Sequence, residues 1–484
     1  MTLGKRASVL LSLLFAVSCG GEPPAGSLAP LSDQERREAN VPTSDGRCSR
    51  ESAATVVARG SVRRTLTLLG GAPHGDGFVA AGADGCGNWF VLYDEDAGSS
   101  GDVVLGSPDS LPQTNPRVML AKIYADGALA WTRRVPPTDS AASALVLGVG
   151  VDGVAAVGTR LLSPADKGDS GYRMDWWQAD GRHAASQPVG DMAVQVQEFE
   201  GNWWLDLRSN ARAAFVMDPQ TGQAWPPWPI EEEDLEVPGT AEHRRLDLAL
   251  LKDGGHAWIG ITDARGLPAY ARVAGEDEGL DSGWRLYVRR LTLPGKAGEL
   301  LQEHSVTEGH AYVANVFVED LSSSCQGVAG TVATNDGTVF AGYACTHYTP
   351  DLPEDARYSW TSRVVALEGR QVVWQWDGPP DMQVLRVLAA PDGRIVVLGL
   401  QQGGDGGRQD LSLFVLDRSG ELEWSRTYSD DNQVPSLNRD PSGRWTVNTS
   451  ALTPDGHVLV GAIVHRLTPE ASRTYWVGEL RWTE

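Results

Sequence analysis

Lysine is scarce in this chain, with 5 residues against 36 arginines, and both together are outnumbered by 63 acidic residues. The formal net charge of −22 repels nucleic acid and anionic lipid, so neither is expected as a partner of the folded body. Solubility is the plain reason for such a balance, and the excess of arginine over lysine reads as the codon bias of a GC-rich genome. The five cysteines contain no C-x-x-C and no adjacent pair, which argues against zinc or thioredoxin-type chemistry. There is no H-E-x-x-H, no G-x-S-x-G elbow and no phosphate loop, so zincin, elbow-serine and nucleotide-dependent classes have no support. Beyond the first eighteen residues no apolar run approaches the length of a membrane-spanning helix. Long amphipathic helical patterns are missing as well, which sets aside the α/β classes.

What is abundant is glycine, at 55 residues, and tryptophan, at 17 of 484. Many tight turns combined with many aromatic packing positions indicate an all-β protein. With 41% hydrophobic and 21% charged residues the chain is globular and long enough for a sizeable core.

Two phrases recur. The first is an acid–glycine turn followed by alternating apolar residues: HGDGFVAAG (74–82), VDGVAAVGT (151–159), KDGGHAWIG (252–260), NDGTVFAGY (335–343), PDGRIVVLG (391–399) and PDGHVLVGA (454–462). A degenerate copy is FEGNWWLDL (199–207). The second carries a tryptophan after its turn: AKIYADGALAWTR (121–133), FVMDPQTGQAW (215–225), RVVALEGRQVVW (363–374) and FVLDRSGELEW (414–424), with looser copies at 173–186 and 286–301. Asp-Gly between alternating apolar stretches predicts a two-residue type I′ hairpin, which needs positive φ at both central residues. Two hairpins in succession make a four-stranded antiparallel unit. Seven such units, turning at Asp76, Asp152, Glu200, Asp253, Asp336, Asp392 and Asp455, predict a β-propeller, because stacked blades bury faces that no single sheet can bury. Seven blades is the first expectation and eight the second. The choice turns on CGNWFVLYDEDAGSSGDVVLG (86–106), which is either an inserted hairpin or half of an extra blade.

The last blade runs short of strands at TYWVGELRWTE (474–484), while SAATVVARGSVRRTLTLL (52–69) alternates without a blade of its own. An open strand edge leaves backbone groups unpaired. Part of residues 53–65 is therefore expected to pair with residues 474–484 and close the ring.

MDPQTGQAW (217–225) resembles the repeat of quinoprotein-type propellers: an apolar residue, Asp, two residues, Thr-Gly, then Trp. The looser copies resemble repeats of secreted bacterial propeller lipoproteins, including the outer-membrane assembly type, over most of residues 66–484. The resemblance implies that the tryptophan packs between blades, and it assigns no catalytic residue. A quinone-dependent dehydrogenase would bring adjacent cysteines and a calcium-binding acid cluster, and the former are absent. No cofactor is implied.

The start MTLGKRASVLLSLLFAVSCGG has Lys5 and Arg6 before an apolar run from Val9 to Val17, the pattern of a secretory signal peptide over residues 1–18. The ending AVSC resembles the lipobox of bacterial lipoproteins. The resemblance implies cleavage before Cys19, lipid attachment to its sulfur, and a lipid-anchored place in the cell envelope of a Gram-negative bacterium, with Gly20 pointing to the outer membrane. An ordinary signal peptide with Cys19 incidental is the other reading. Residues 19–50 are rich in Pro, Gly, Ser and charge over most of their length and are expected to form a flexible tether, leaving 51–484 as the propeller.

Four cysteines remain in an exported chain, which favours two disulfides. Cys325 and Cys345 flank the turn at 335–337, ten residues each way from Asn335, and pair if a bulge or longer loop brings them opposite. Cys48 and Cys86 then pair by elimination.

Other candidates for chemistry are sparse. Asp94, Asp96 and Asp102 in YDEDAGSSGD (93–102) are oxygen ligands of the type calcium prefers, without EF-hand spacing, and equally an acidic surface loop. IEEEDLE (230–236) reads as a solvated charge run. His304, His310 and His347 flank one region without paired metal spacing. Trp225 and Trp228, set among Pro226, Pro227 and Pro229, offer a rigid aromatic surface for a protein or glycan, or else pack between blades. The chain is expected to be a monomeric, non-enzymatic scaffold or binding module. The alternative is a propeller enzyme, a quinoprotein-like oxidoreductase or a hydrolase, acting at the central channel.

Overall fold

In the computed structural model of the chain, the described residues are 31–50, 58–69, 79–94, 98–101, 118–135, 142–161, 171–189, 193–199, 202–207, 214–218, 223–225, 244–250, 256–263, 284–292, 312–321, 325–335, 337–349, 351, 358–368, 371–402, 408–428, 437–438, 447–464 and 474–483. Apart from one short helix, every regular element among them is a strand. The strands fall into seven antiparallel sheets. The first sheet holds Val79–Ala83, Trp89–Asp94, Val118–Ile123 and Leu129–Val135, in that order from inner to outer edge. The second holds Ala142–Val149, Ala155–Leu161, Tyr172–Trp177 and His183–Val189. The third to sixth follow the same up-and-down order within residues 193–225, 244–321, 325–377 and 382–428, the sixth with Leu437–Asn438 added against Arg408–Leu416. First strands lie against one another at most joints between consecutive sheets, as Ala142–Val149 does against the strands on either side of it. Stacked four-stranded meanders of this kind are a β-propeller.

The burial along a sheet follows from the stacking. All six residues of Val118–Ile123 are buried, because neighbouring sheets cover both faces, whereas the outer strand Gln371–Asp377 is exposed along most of its length. The glycine within the first recurring phrase marks close approach of the next sheet. A Cβ on Gly82 would stand 2.5 Å from Val149 Cγ2, and one on Gly342 would stand 2.5 Å from Val387 Cγ2.

Two residues separate the paired Asn335 and Thr338, and likewise Phe199 and Asn202, as expected of a two-residue hairpin, but the other acid–glycine turns differ. In the turn Gly150–Val154, Gly150 N–H donates to Val154 O (2.9 Å) and Gly153 N–H to Gly150 O (3.0 Å). The same pair of bonds closes 84–88, 124–128, 178–182, 390–394, 417–421 and 453–457. This is a three-residue loop, a type I turn followed by a glycine bulge. Only the glycine takes positive φ, as at Gly153 (78°) and Gly420 (84°). The aspartate stays in an ordinary conformation and accepts the amide two residues on: Asp152 Oδ1 from Val154 N, Asp392 Oδ1 from Arg394 N. That capping bond, rather than tolerance of positive φ, is why aspartate recurs there.

The tryptophan of the second phrase locks adjacent sheets together. Trp131, on the outer strand of the first sheet, donates Nε1–H to Ala179 O in the outer turn of the second (3.0 Å). Trp374 of the fifth sheet donates to Arg418 O in the outer turn of the sixth (3.0 Å). Each ring lies on the glycine of the turn it reaches: a Cβ on Gly420 would stand 2.5 Å from Trp374 Cε3, and one on Gly181 3.0 Å from Trp131 Cδ2. Acid–glycine and tryptophan therefore recur together because one blade's ring needs the next blade's bare, left-handed turn.

The seventh sheet closes the ring. Val447–Leu452, His457–Val464 and Thr474–Arg481 are joined by Val62–Leu69, which pairs with the C-terminal strand in the register Thr65↔Gly478, Leu66↔Val477. The closing strand starts inside the expected 53–65 and extends past it; residues 51–57 lie outside the described residues. The segment 86–106 is neither an extra hairpin nor half a blade. Trp89–Asp94 is the second strand of the first sheet, whose inner turn is 84–88 and not Asp76, and Gly98–Gly101 extends the seventh sheet by pairing with Val62–Leu69. Asp76 lies outside the described residues.

Residues 31–50 are not a tether, in contrast to the expectation from composition. Ser32 caps the helix Asp33–Glu38 in a capping box with Glu35. Val41 is wholly buried, Asn40 likewise, and Val41 packs with Leu31, Ala39 and Ala179. Composition missed this because four apolar side chains suffice when the remaining contacts are polar and specific. The disulfide Cys48–Cys86 fastens the segment to the first sheet (Cα–Cα 5.8 Å). Cys345 is disulfide-bonded as well. Cys325 stands across from His347, two residues along the strand from Cys345, beside a bulge between Cys325 and Gly327; its side chain lies outside the described residues.

Candidate functional site

Three polar clusters stand out, two of them joined at the end of the ring where the Asp-Gly turns lie. The first sits at the closing seam. Glu479, fully buried, is directly across from Arg64. Arg64 Nε donates to Glu479 Oε2 (2.8 Å), and Arg63 Nη1 reaches both Glu479 Oε1 (3.3 Å) and Asp455 Oδ2. The arginines also bind the first sheet: Arg64 Nη1 donates to Tyr124 O, Arg63 Nη2 to Ala125 O, and the Arg64 guanidinium stacks over Trp89 at 4.3 Å. They do at this joint what Trp131 and Trp374 do elsewhere. The turn 453–457 adds Asp455 and His457. His457 Nδ1 stands 3.2 Å from Asp455 Oδ1 and 3.9 Å from Glu479 Oε1. Burial pushes the Asp455 carboxyl up, but the His457 ring, the Thr453 hydroxyl and Arg63 outweigh it and hold the group well below the usual carboxylate range.

The second cluster anchors the N-terminal segment. Lys122 projects from an otherwise apolar strand and is wholly buried. Its Nζ donates to Ala39 O (2.7 Å) and Ala179 O (3.3 Å) and lies 3.6 Å from Asp84 Oδ2. Asp84 accepts Asn88 Nδ2 on both oxygens and the amides of Cys86 and Asn88 on Oδ1. Asn40 Nδ2 donates to Asn88 Oδ1 (2.9 Å), and Asn88 Nδ2 returns a bond to Asn40 O (2.6 Å). Burial pushes Lys122 down to about 8, against the pull of Asp84. Burial also pushes Asp84 up, opposed by Lys122 and the Asn88 donors. Every charged atom here has a partner within the chain, which marks a structural anchor.

The third cluster brings Asp175, His183 and Ser186 together in the second sheet. Ser186 Oγ and Asp175 Oδ1 both contact the same nitrogen, His183 Nε2, at 2.9 Å each, and Ser186 also donates to Asp175 directly. A serine relay needs carboxylate and serine on opposite ring nitrogens, so that one orients while the other is activated. With both on Nε2, and Arg173 Nη2 on the carboxylate (2.8 Å), this is a cross-strand polar pair and not a nucleophile.

Of the residues singled out from sequence, Asp94 ends the strand Trp89–Asp94, while Asp96 and Asp102 lie outside the described residues. Trp225 is not in a loop: it ends the edge strand Gln223–Trp225, across from Val216. Trp228, Cys19, His304 and His310 lie outside the described residues. His347 Nε2 meets Thr361 Oγ1 across a strand pair (3.0 Å). No helix among the described residues is long and apolar enough to cross a membrane. Sequence reasoning missed the seam cluster because Glu479 joins Asp455 and His457 only through strand pairing. Lys122 was legible as the single charge in the run VMLAKI.

No protein-family model matches the chain, and no curated protein matches it. Among solved structures it is similar to BamB from Moraxella catarrhalis, at 13% identity over 85% of this chain and 100% of that one, with a TM-score of 0.35. It is also similar to the β-propeller domain of the trilobed protease from Pyrococcus furiosus, at 10% identity over 84% of this chain and 96% of that one, TM-score 0.40. A third is polysaccharide lyase Uly1, at 10% identity over 85% of this chain and 91% of that one, TM-score 0.43. Likenesses this distant say nothing about activity, ligand or partner.

Proposed function

We propose that this chain is a lipid-anchored β-propeller of the bacterial cell envelope, acting as a non-enzymatic scaffold or module for binding a protein or glycan partner. The observation that carries this reading is the docking of residues 31–50 onto the turn end of the first two sheets, fixed by Cys48–Cys86 and by Lys122. Cys19, in AVSC, lies twelve residues before Leu31, a reach of at most about 40 Å. Lipid on Cys19 would therefore hold the turn end towards the membrane. The connections between second and third strands, and those between sheets, leave from the opposite end by the antiparallel order. That end faces the partner.

The test has two arms. Cys19→Ser moves the protein from the membrane to the soluble fraction if the anchor is real; unchanged membrane fractionation rejects anchoring. Affinity capture of the anchored protein from its own membranes, read by mass spectrometry, returns a reproducible envelope partner if the module reading holds. Turnover of a sugar or quinone substrate by the purified chain would reject the non-enzymatic part.

A further inference from the structure

We infer that Asp455, His457 and Glu479 form a site for a divalent first-row transition ion, zinc above all, at the seam where the ring closes. One oxygen of each carboxylate and one imidazole nitrogen lie within 4.8 Å of one another. The two separations from His457 Nδ1, 3.2 and 3.9 Å, bracket the roughly 3.4 Å between ligands of a tetrahedral zinc ion. His457 is only 3% exposed, and neither ring nitrogen completes a hydrogen bond among the described residues. The imidazole touches the Asp455 carboxylate at 3.2 Å without hydrogen-bond geometry, so a buried ring turned towards two carboxylates is short of a well-formed partner, and an ion between the three supplies one.

Each carboxylate divides its oxygens in the way an ion site requires. Asp455 Oδ2 and Glu479 Oε2 are held by Arg63 and Arg64, while Asp455 Oδ1, which also accepts the Thr453 hydroxyl (2.6 Å), and Glu479 Oε1 face the imidazole. Such outer bonds orient ligating carboxylates. One nitrogen and two oxygen ligands favour zinc over calcium or magnesium, which take oxygen alone. Asp455, about a third exposed on its side chain, opens the route of entry. Arg63 is the competitor: its Nη1 also lies 3.3 Å from Glu479 Oε1 and yields that oxygen to the ion. A bound ion would tie the turn 453–457 to the strand Thr474–Arg481 by coordination in addition to the backbone ladder.

The experiment is zinc chloride titrated into the chelator-treated full chain, followed by calorimetry and thermal melting. The expected result is one zinc per chain and a raised melting temperature. His457→Gln should weaken that binding by at least about tenfold, as loss of even an outer-shell ligand partner does. No zinc binding by the wild type at millimolar concentration overturns the inference, as does undiminished affinity in His457→Gln. X-ray absorption of the zinc-loaded wild type provides a check independent of variant folding. One imidazole with oxygen ligands supports the site, and sulfur or all-oxygen coordination rejects it.

Discussion

Replacing Lys122 with methionine isolates the anchor that holds the N-terminal segment. Methionine keeps the length and most of the volume of the side chain, so no sizeable cavity is created. What is lost is the ammonium that faces Ala39 O, Ala179 O and Asp84. Lys122 is fully buried and Asp84 is 2% exposed, so the carboxylate would remain out of water with its neutral donors and no counter-charge. Removing one partner of a buried pair costs about 3–5 kcal/mol. The double variant Lys122→Met with Asp84→Asn removes the stranded charge and keeps an oxygen for the Cys86 and Asn88 amides. It should therefore be more stable than the sum of the single losses, by about 1–3 kcal/mol of coupling. Equilibrium urea unfolding followed by tryptophan fluorescence, with the disulfides intact, measures all three variants. A loss below about 1 kcal/mol for Lys122→Met, or strict additivity in the cycle, would refute the anchor as described.

Stability should rise with pH between about 8 and 10.5 in the wild type and less so in Lys122→Met. The folded value of about 8 lies below the ordinary lysine value of 10.5, so in that window the unfolded chain holds the extra proton; pH-dependent melts of the two proteins check this. Losing the 38-residue Cys48–Cys86 closure through Cys48→Ser with Cys86→Ser should cost about 4 kcal/mol in urea unfolding; an unchanged midpoint would count against the docked segment. Gly420→Ala should cost well over the roughly 1 kcal/mol of a left-handed alanine, because its Cβ meets Trp374 at 2.5 Å, whereas Gly46→Ala, with nothing within 4 Å, should cost only the backbone share. Equal costs at the two glycines would contradict the tryptophan lock.

The repeat was legible because each copy performs one local task. Asp caps a turn, Gly takes the left-handed position, and Trp covers the neighbouring turn, so the same letters return wherever the geometry returns. The meander, the all-β class and the sharing of one sheet by the chain's two ends follow from spacing and alternation. What could not be read was any pairing decided by a neighbouring sheet. Gly98–Gly101 carries no apolar signal and finds its place only on the edge offered by Val62–Leu69. Residues 31–50 looked unstructured because their docking is polar, through Asn40, Asn88 and Lys122. The turn acids suggested positive φ at aspartate, yet one extra loop residue moved that burden to glycine alone. Glu479 and His457, twenty-two residues apart, become neighbours only through the ladder between the last two strands.

Covalent trapping across the closing seam tests the ring most directly. Leu66 and Val477 face each other in the register of Val62–Leu69 and Thr474–Arg481, both fully buried in one cluster. Directly opposed antiparallel residues have Cα atoms about 4.5–5.5 Å apart, within disulfide range. The paired variant Leu66→Cys with Val477→Cys, oxidised in the folded state and mapped as non-reduced peptides, should yield a link between the segments containing residues 66 and 477. A folded, oxidised variant in which both introduced thiols remain free, or in which residue 66 is linked elsewhere, would contradict closure of the propeller by its own N-terminal strand.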